Sequence, residues 1–142
     1  MTRPSRVAPY ELFDLQQITG PAGILYLGEL TSRGEAPVDR FFFLRGVPAG
    51  ARRGGHAHKE QSEYLICVQG SLEIHIESRG DVQAISLAGP GRALYLPAGY
   101  WRDLAGFSPD AILAVLATHP FSEDDYIRDR EAFRRWEASL AP

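Results

Sequence analysis

The 142-residue sequence predicts an all-β fold, an antiparallel barrel closed by one C-terminal helix. Three observations lead there. Most of the chain is short apolar runs separated by Gly/Pro punctuation, the pattern of sandwiches and barrels. Leu72-Glu-Ile-His-Ile-Glu77 alternates strictly, with Leu72, Ile74 and Ile76 on one face and Glu73, His75 and Glu77 on the other. After Ser122 the apolar period changes to that of a helix.

Taken in order, the runs predict strands over 23–30, 40–45, 55–58, 63–69, 72–78, 82–87, 92–96, 100–105 and 111–117. Val47-Pro-Ala-Gly50, Gly70-Ser71, Ser78-Arg-Gly-Asp81, Ala88-Gly-Pro-Gly91 and Pro97-Ala-Gly99 fall between them as breakers. His75 belongs to the outward face of its strand, as a surface or interface residue. Ile127, Phe133, Trp136 and Leu140 lie near one helical face, and Ser122 with Asp125 resembles a capping box, so a helix is expected over 122–140 with its charges in solvent. The organisation expected is one domain over 1–142: N-terminal strands 10–45, a barrel core 46–118, and the helix.

Composition narrows the function classes. With 44% hydrophobic and 23% charged residues the chain has the make-up of an ordinary globular protein. A net charge of -3 and the lack of a Lys/Arg block predict no nucleic-acid partner and no membrane surface. Met1 to Tyr10 holds no apolar run of signal-peptide length, and no stretch approaches the roughly 18 apolar residues of a membrane span, so a cytoplasmic location is expected. Cys67, the only cysteine, sits in Tyr64-Leu-Ile-Cys-Val68 and is expected to be a buried, inert thiol.

Chemistry concentrates in Gly50 to Gly70. In an extended strand residues i and i+2 face the same side, so His56 and His58 project together, and Glu63 opens the next strand within reach of both. Two imidazoles and a carboxylate suit a divalent metal, and they equally suit proton transfer near neutral pH. Arg53 and Arg102 are the candidate cations for an anionic ligand, and Glu63 is expected within salt-bridge distance of Arg102. Tyr26, Tyr64, Tyr95 and Tyr100 are candidate hydroxyl sources, with packing the simpler reading of each.

The intervals of Gly50, His56, His58, Glu63 and Gly70 resemble the first motif of the cupin superfamily, and Gly91, Pro97 and Gly99 resemble the second, whose closing His is here Arg102. That resemblance implies a double-layered, jelly-roll barrel. Arg53-Gly-Gly-His-Ala-His58, Leu65-Ile-Cys-Val-Gln-Gly-Ser71 and Asp125-Tyr-Ile-Arg-Asp129 further resemble the WxcM-like dTDP-sugar 3,4-ketoisomerases. The resemblance implies a small homodimeric enzyme without cofactor or metal, moving a ketone between C4 and C3 of a nucleotide-linked 6-deoxyhexose. It also implies that His56 and His58 move the protons while Arg53 helps hold the substrate, and Arg102 and Glu63 are expected to join Arg53 as substrate-binding residues. The chain departs from that family in having Glu63 for a Gln, Arg102 for a His, Ala22-Gly-Ile-Leu25 near the N-terminus, and Phe41-Phe-Phe43 where tyrosines are common. Two alternatives stand beside it: a metal-dependent small cupin using His56, His58 and Glu63 as a facial triad, and a ligand-binding cupin without catalysis.

Overall fold

The computed structural model describes residues 7–30 and 37–140; the outer ends of the expected 1–142 unit lie outside them. Among the described residues twelve strands form in the order β1 (Glu11–Asp14), β2 (Gln16–Gly20), β3 (Gly23–Leu27), β4 (Arg40–Arg45), β5 (Arg53–His58), β6 (Glu63–Gln69), β7 (Ser71–Ser78), β8 (Asp81–Ala88), β9 (Arg92–Leu96), β10 (Trp101–Ala105), β11 (Ile112–Ala117) and β12 (Tyr126–Ile127), followed by α1 (Arg130–Ser139). Two five-stranded antiparallel sheets face each other. One runs β1-β9-β6-β11-β4, the other β12-β5-β10-β7-β8, and β2 with β3 make a separate hairpin. The double-layered antiparallel barrel expected from the sequence is what forms.

The core lies between the layers because the alternating strands point one face inward. Leu72, Ile74 and Ile76 of β7 are buried against Leu65 and Cys67 of β6, Leu94 and Leu96 of β9, and Leu113 and Val115 of β11. Burial raises the Cys67 thiol pKa, consistent with an inert packing residue. Truncating one such leucine to alanine costs about 2–5 kcal/mol. His75 faces outward beside Glu73, as its register requires.

The C-terminal segment differs from the expected helix over 122–140. Ser122 makes no side-chain cap, and Glu123–Asp125 form only a single 3-10 turn. Tyr126 and Ile127 are drawn into the sheet opposite His58 and Ala57, so the α-helix begins after Asp129, whose carboxylate accepts from the Ala132 N–H. Tertiary strand pairing outcompetes helix propensity here because β5 would otherwise leave an open edge. The helix then covers the outer face of the second layer, placing Phe133 against Trp101 at 5.9 Å. Its charges are not all in solvent: Arg130 and Arg134 both pair with the buried Glu77 of β7.

The N-terminal strand expected over 23–30 ends at Leu27 and is one arm of the β2/β3 hairpin. That hairpin packs on little of its own chain. Ile18, Ile24, Leu25 and Leu27 are each 41–58% exposed. On the edge strand β4, Phe42 and Leu44 turn inward while Phe41 and Phe43 face outward, 71% and 59% exposed.

Candidate active site

β5 carries the site because of its position between β10 and β12. Arg102 of β10 is paired with His56, and Asp103 with Gly54, so Gly55 is an extra residue that bulges the strand. Gly54 and Gly55 have φ of +82° and +70°, a region that side-chain-bearing residues avoid. A Cβ on Gly54 would also approach the Arg102 carbonyl oxygen to 3.0 Å. The two glycines therefore permit the close strand contact that turns His56 and Arg102 into the same space.

That space is a cavity of about 480 Å³ between the layers. Its apolar wall comes from Phe42, Leu44, Leu65, Leu104, Leu113 and Val115, and its polar end from His56, Glu63, Arg102 and Tyr126. Arg52, Arg53 and Arg128 add cations to the lining. Among these, Arg128 lies over the Tyr126 ring at 4.2 Å and is held by Glu123 at 2.7 and 3.0 Å. Arg53, the first residue of β5, is exposed and has no ion-pair partner among the described residues.

The structure separates the two histidines in depth. His56 lines the cavity. Burial, reinforced by the Arg102 charge, lowers its pKa to about 4, so it is a neutral base at physiological pH. His58 is fully enclosed and does not line the cavity. Burial and then Arg102 hold its pKa near 2. Neutral His58 donates Nδ1–H to Asp125 at 2.9 Å, which leaves Nε2 to accept from the Gln61 amide at 3.5 Å. The amide orientation follows from its other partners, since Gln61 donates to Glu63 at 2.8 Å and its oxygen accepts from Arg40 at 2.9 Å. Asp125 also accepts the backbone N–H of Glu60 at 2.6 Å. The His58 ring then meets His56 edge-on, with centroids 4.9 Å apart.

Glu63 and Arg102 form the ion pair anticipated from their charges, at 2.6 Å, with side chains only 6% and 2% exposed. Arg102 also donates to the Tyr100 carbonyl at 3.2 Å, whereas its Nε is buried without a partner. Removing one member of such a pair leaves an uncompensated buried charge at a cost of about 3–5 kcal/mol. The facial triad of His56, His58 and Glu63 does not fit a metal. Asp125 and Gln61 engage His58, a guanidinium already occupies Glu63, and no three His, Cys, Asp or Glu side chains are placed to hold a metal ion among the described residues.

None of the four candidate tyrosines lines the cavity, in keeping with packing as the simpler reading of each. Tyr64 and Tyr95 pack together away from the cavity, Tyr100 donates to the Ala8 carbonyl, and Tyr26 belongs to the hairpin. The tyrosine at the cavity is Tyr126, and it was missed together with Asp125, Gln61 and Arg128. The segment Asp125 to Asp129 carried the only signal, obscured by its assignment to a helix.

Comparison with known proteins gives one concordant picture. A family model described as FdtA: WxcM-like, C-terminal, matches residues 8–138. A TDP-4-oxo-6-deoxy-alpha-D-glucose-3,4-oxoisomerase from Aneurinibacillus thermoaerophilus is 30% identical over 103 residues, 72% of this chain and 74% of that protein. A 3,4-ketoisomerase from Helicobacter canadensis superposes with a TM-score of 0.86 at 29% identity, covering 92% of this chain and 98% of the other. The sugar 3,4-ketoisomerase QdtA from Thermoanaerobacterium thermosaccharolyticum, solved in complex with TDP, gives 0.85 at 27% identity over 91% and 94% of the two chains.

Proposed function

Because this chain belongs to the FdtA family of WxcM-like C-terminal domains, we propose that it is an isomerase that moves the keto group between C4 and C3 of a TDP-linked 6-deoxyhexose. The observation that carries the reading at the level of residues is His56: a neutral imidazole at a cavity wall beside the Arg102 cation. A ketone at C4 acidifies the proton on C3. One well-placed base can remove it and later return a proton to C4 through an enediol, and such a group is typically worth about 10²–10⁴ in rate.

His58 has a different task in this reading. Enclosed and tied to Asp125 and Gln61, it supports the His56 ring by edge contact and does not meet the sugar. The exposed Arg53, with Arg128 held over Tyr126, supplies guanidinium groups suited to a diphosphate. The apolar wall around Phe42 and Leu44 suits the deoxygenated face of the sugar.

A second copy of the chain completes the assembly. The exposed residues of the β2/β3 hairpin and the outward Phe41 and Phe43 leave apolar surface uncovered, and a homodimer buries it. No helix among the described residues is long and apolar enough to cross a membrane. Sedimentation should report a dimer that Ile24→Asp/Leu25→Asp converts to monomer; a wild-type monomer at micromolar concentration refutes the assembly.

The catalytic reading is tested by incubation with TDP-4-keto-6-deoxyglucose in D₂O. Deuterium should enter at C3 with formation of the 3-keto isomer, and His56→Asn should lose about 10²–10⁴ in rate while keeping the fold. Binding without exchange would leave a non-catalytic binding protein.

A further inference from the structure

His58 faces a carboxylate on each side. Its Nδ1 lies 2.9 Å from Asp125 and its Nε2 3.5 Å from Glu63. A neutral imidazole has one N–H and one lone pair, so it satisfies one carboxylate and turns a lone pair on the other. The ring is fully buried, so the missing donor must come from the protein; without one, the ring satisfies both carboxylates only by taking a second proton. Gln61 is that donor. Its amide nitrogen lies 2.8 Å from the Glu63 oxygen that faces His58, and 3.5 Å from His58 Nε2. One amide hydrogen goes to the carboxylate, and the other is left for the imidazole lone pair.

The amide is locked in that orientation. Arg40, the first residue of β4, donates to Gln61 Oε1 at 2.9 Å, and is itself held by the His119 carbonyl at 3.2 Å and by the rings of Phe42 and Phe121. A flipped amide would set donor against donor at Arg40 and acceptor against acceptor at Glu63. The Gln61 backbone N–H also reaches Asp125 at 3.3 Å, so this one residue touches both carboxylates and the imidazole between them. Gln61 is 1% exposed and does not line the cavity, so it acts on the chemistry through its neighbours. Resting on the ketoisomerase reading above, we infer that Gln61 is a positioning residue for the proton transfer: its amide completes the donor set around His58 and holds that ring neutral, as the Nδ1–H tautomer, behind His56.

Neutrality of His58 matters because His56 becomes an imidazolium when it takes the C3 proton. A second imidazolium with its ring centroid 4.9 Å away would oppose that step by like-charge repulsion. The charges around His58 come from every element packed on it. Glu63 of β6 and Asp125 of the 3-10 turn favour a second proton; Arg102 of β10, Arg40 of β4, Arg128 beyond β12 and a charged His56 on its own strand oppose it, and Tyr126 of β12 packs its ring at 4.4 Å. With the Gln61 amide in place the lone pair of Nε2 meets a donor, and the neutral ring is satisfied at both nitrogens. Without it, the same lone pair meets the Glu63 carboxylate alone.

The test compares wild type, Gln61→Met and Gln61→Glu in the full chain, reading the protonation of His58 by NMR of its ring nitrogens, and kcat and KM for C3 deuterium exchange across pH. Wild-type His58 should be the neutral Nδ1–H ring from about pH 8 to about pH 5. Gln61→Met keeps the side-chain length and removes the donor; His58 should be an imidazolium at about pH 6, with kcat there at least about tenfold below wild type. Gln61→Glu keeps the shape and the acceptor for Arg40 but brings a third carboxylate; it should charge His58 likewise, and carries the test if Gln61→Met does not fold. In each variant kcat should rise with pH along the His58 titration curve, while KM stays within about threefold of wild type. A wild-type His58 that is charged or carries its proton on Nε2 overturns the assignment. So does a variant whose His58 stays neutral at about pH 6, whose kcat is depressed equally at every pH, or whose defect is confined to KM. Wild-type protein that fails to exchange overturns the ketoisomerase reading instead, and the His58 spectra then decide by themselves whether Gln61 holds the ring neutral.

Discussion

Acidification should leave kcat/KM nearly intact well below the pH at which an ordinary histidine base fails. The general base must be unprotonated to act, and burial followed by the Arg102 charge lowers the His56 pKa from 6.5 to about 4. At about pH 5 a histidine of ordinary pKa is only about 3% neutral, whereas His56 is about 90% neutral, a difference of about 30-fold in active base. The profile of kcat/KM, which reports the free enzyme, should therefore be flat from about pH 8 to about pH 5 and fall with a midpoint near pH 4. Deuterium exchange at C3, followed by NMR in buffers of constant ionic strength, measures it. Stability must be followed in parallel, because the same shifts destabilise the fold in acid. His56 and His58 bind protons more tightly unfolded than folded, so stability rises with pH across their window and is lost as pH falls from about 6.5. Each costs about 2 kcal/mol by about pH 5. Circular dichroism at each pH separates unfolding from titration. A fall in kcat/KM centred near 6.5, with the fold intact, would refute the reasoning by putting the base in a solvated site.

Two further outcomes follow from the same geometry. Arg53→Ala should raise KM with kcat nearly unchanged, since Arg53 is an exposed cation of the cavity lining removed from the His56–Arg102 pair; steady-state kinetics showing an equal loss in kcat would place it nearer the chemistry. Phe133→Ala should cost about 3–5 kcal/mol in urea denaturation, because the fully buried ring joins α1 to Trp101 and Ala57; a loss below about 1 kcal/mol would show that the helix contributes little to holding the barrel.

Much of the fold was legible because strand periodicity is local. The alternation in β7 assigned Leu72, Ile74 and Ile76 to the interior and His75 to the exterior without any knowledge of the partners. The pairing of Glu63 with Arg102 was legible too, since a buried cation and a buried anion must find one another. Likewise the shared face of His56 and His58 follows from their spacing alone.

Depth was not legible. Residues i and i+2 share a face but stand about 6–7 Å apart along the strand, and in a closed barrel that displacement puts His56 at the cavity and His58 behind it. What covers His58 is a segment 67 residues distant in sequence, where Asp125 turns its carboxylate to the imidazole and Tyr126 extends the sheet. Locally that segment reads as the start of a helix, with a serine, an acid three residues later and apolar residues at helical spacing. The edge of β5 decides otherwise, because its unpaired backbone groups gain more from two strand residues than the segment gains from one more helical turn. The sequence by itself thus determined the barrel, its inward faces and the ion pair, all of which depend on residue type and local period. Only the tertiary structure decided which histidine meets the cavity and which residues enclose the other, because both depend on non-local backbone pairing that no window of the sequence contains.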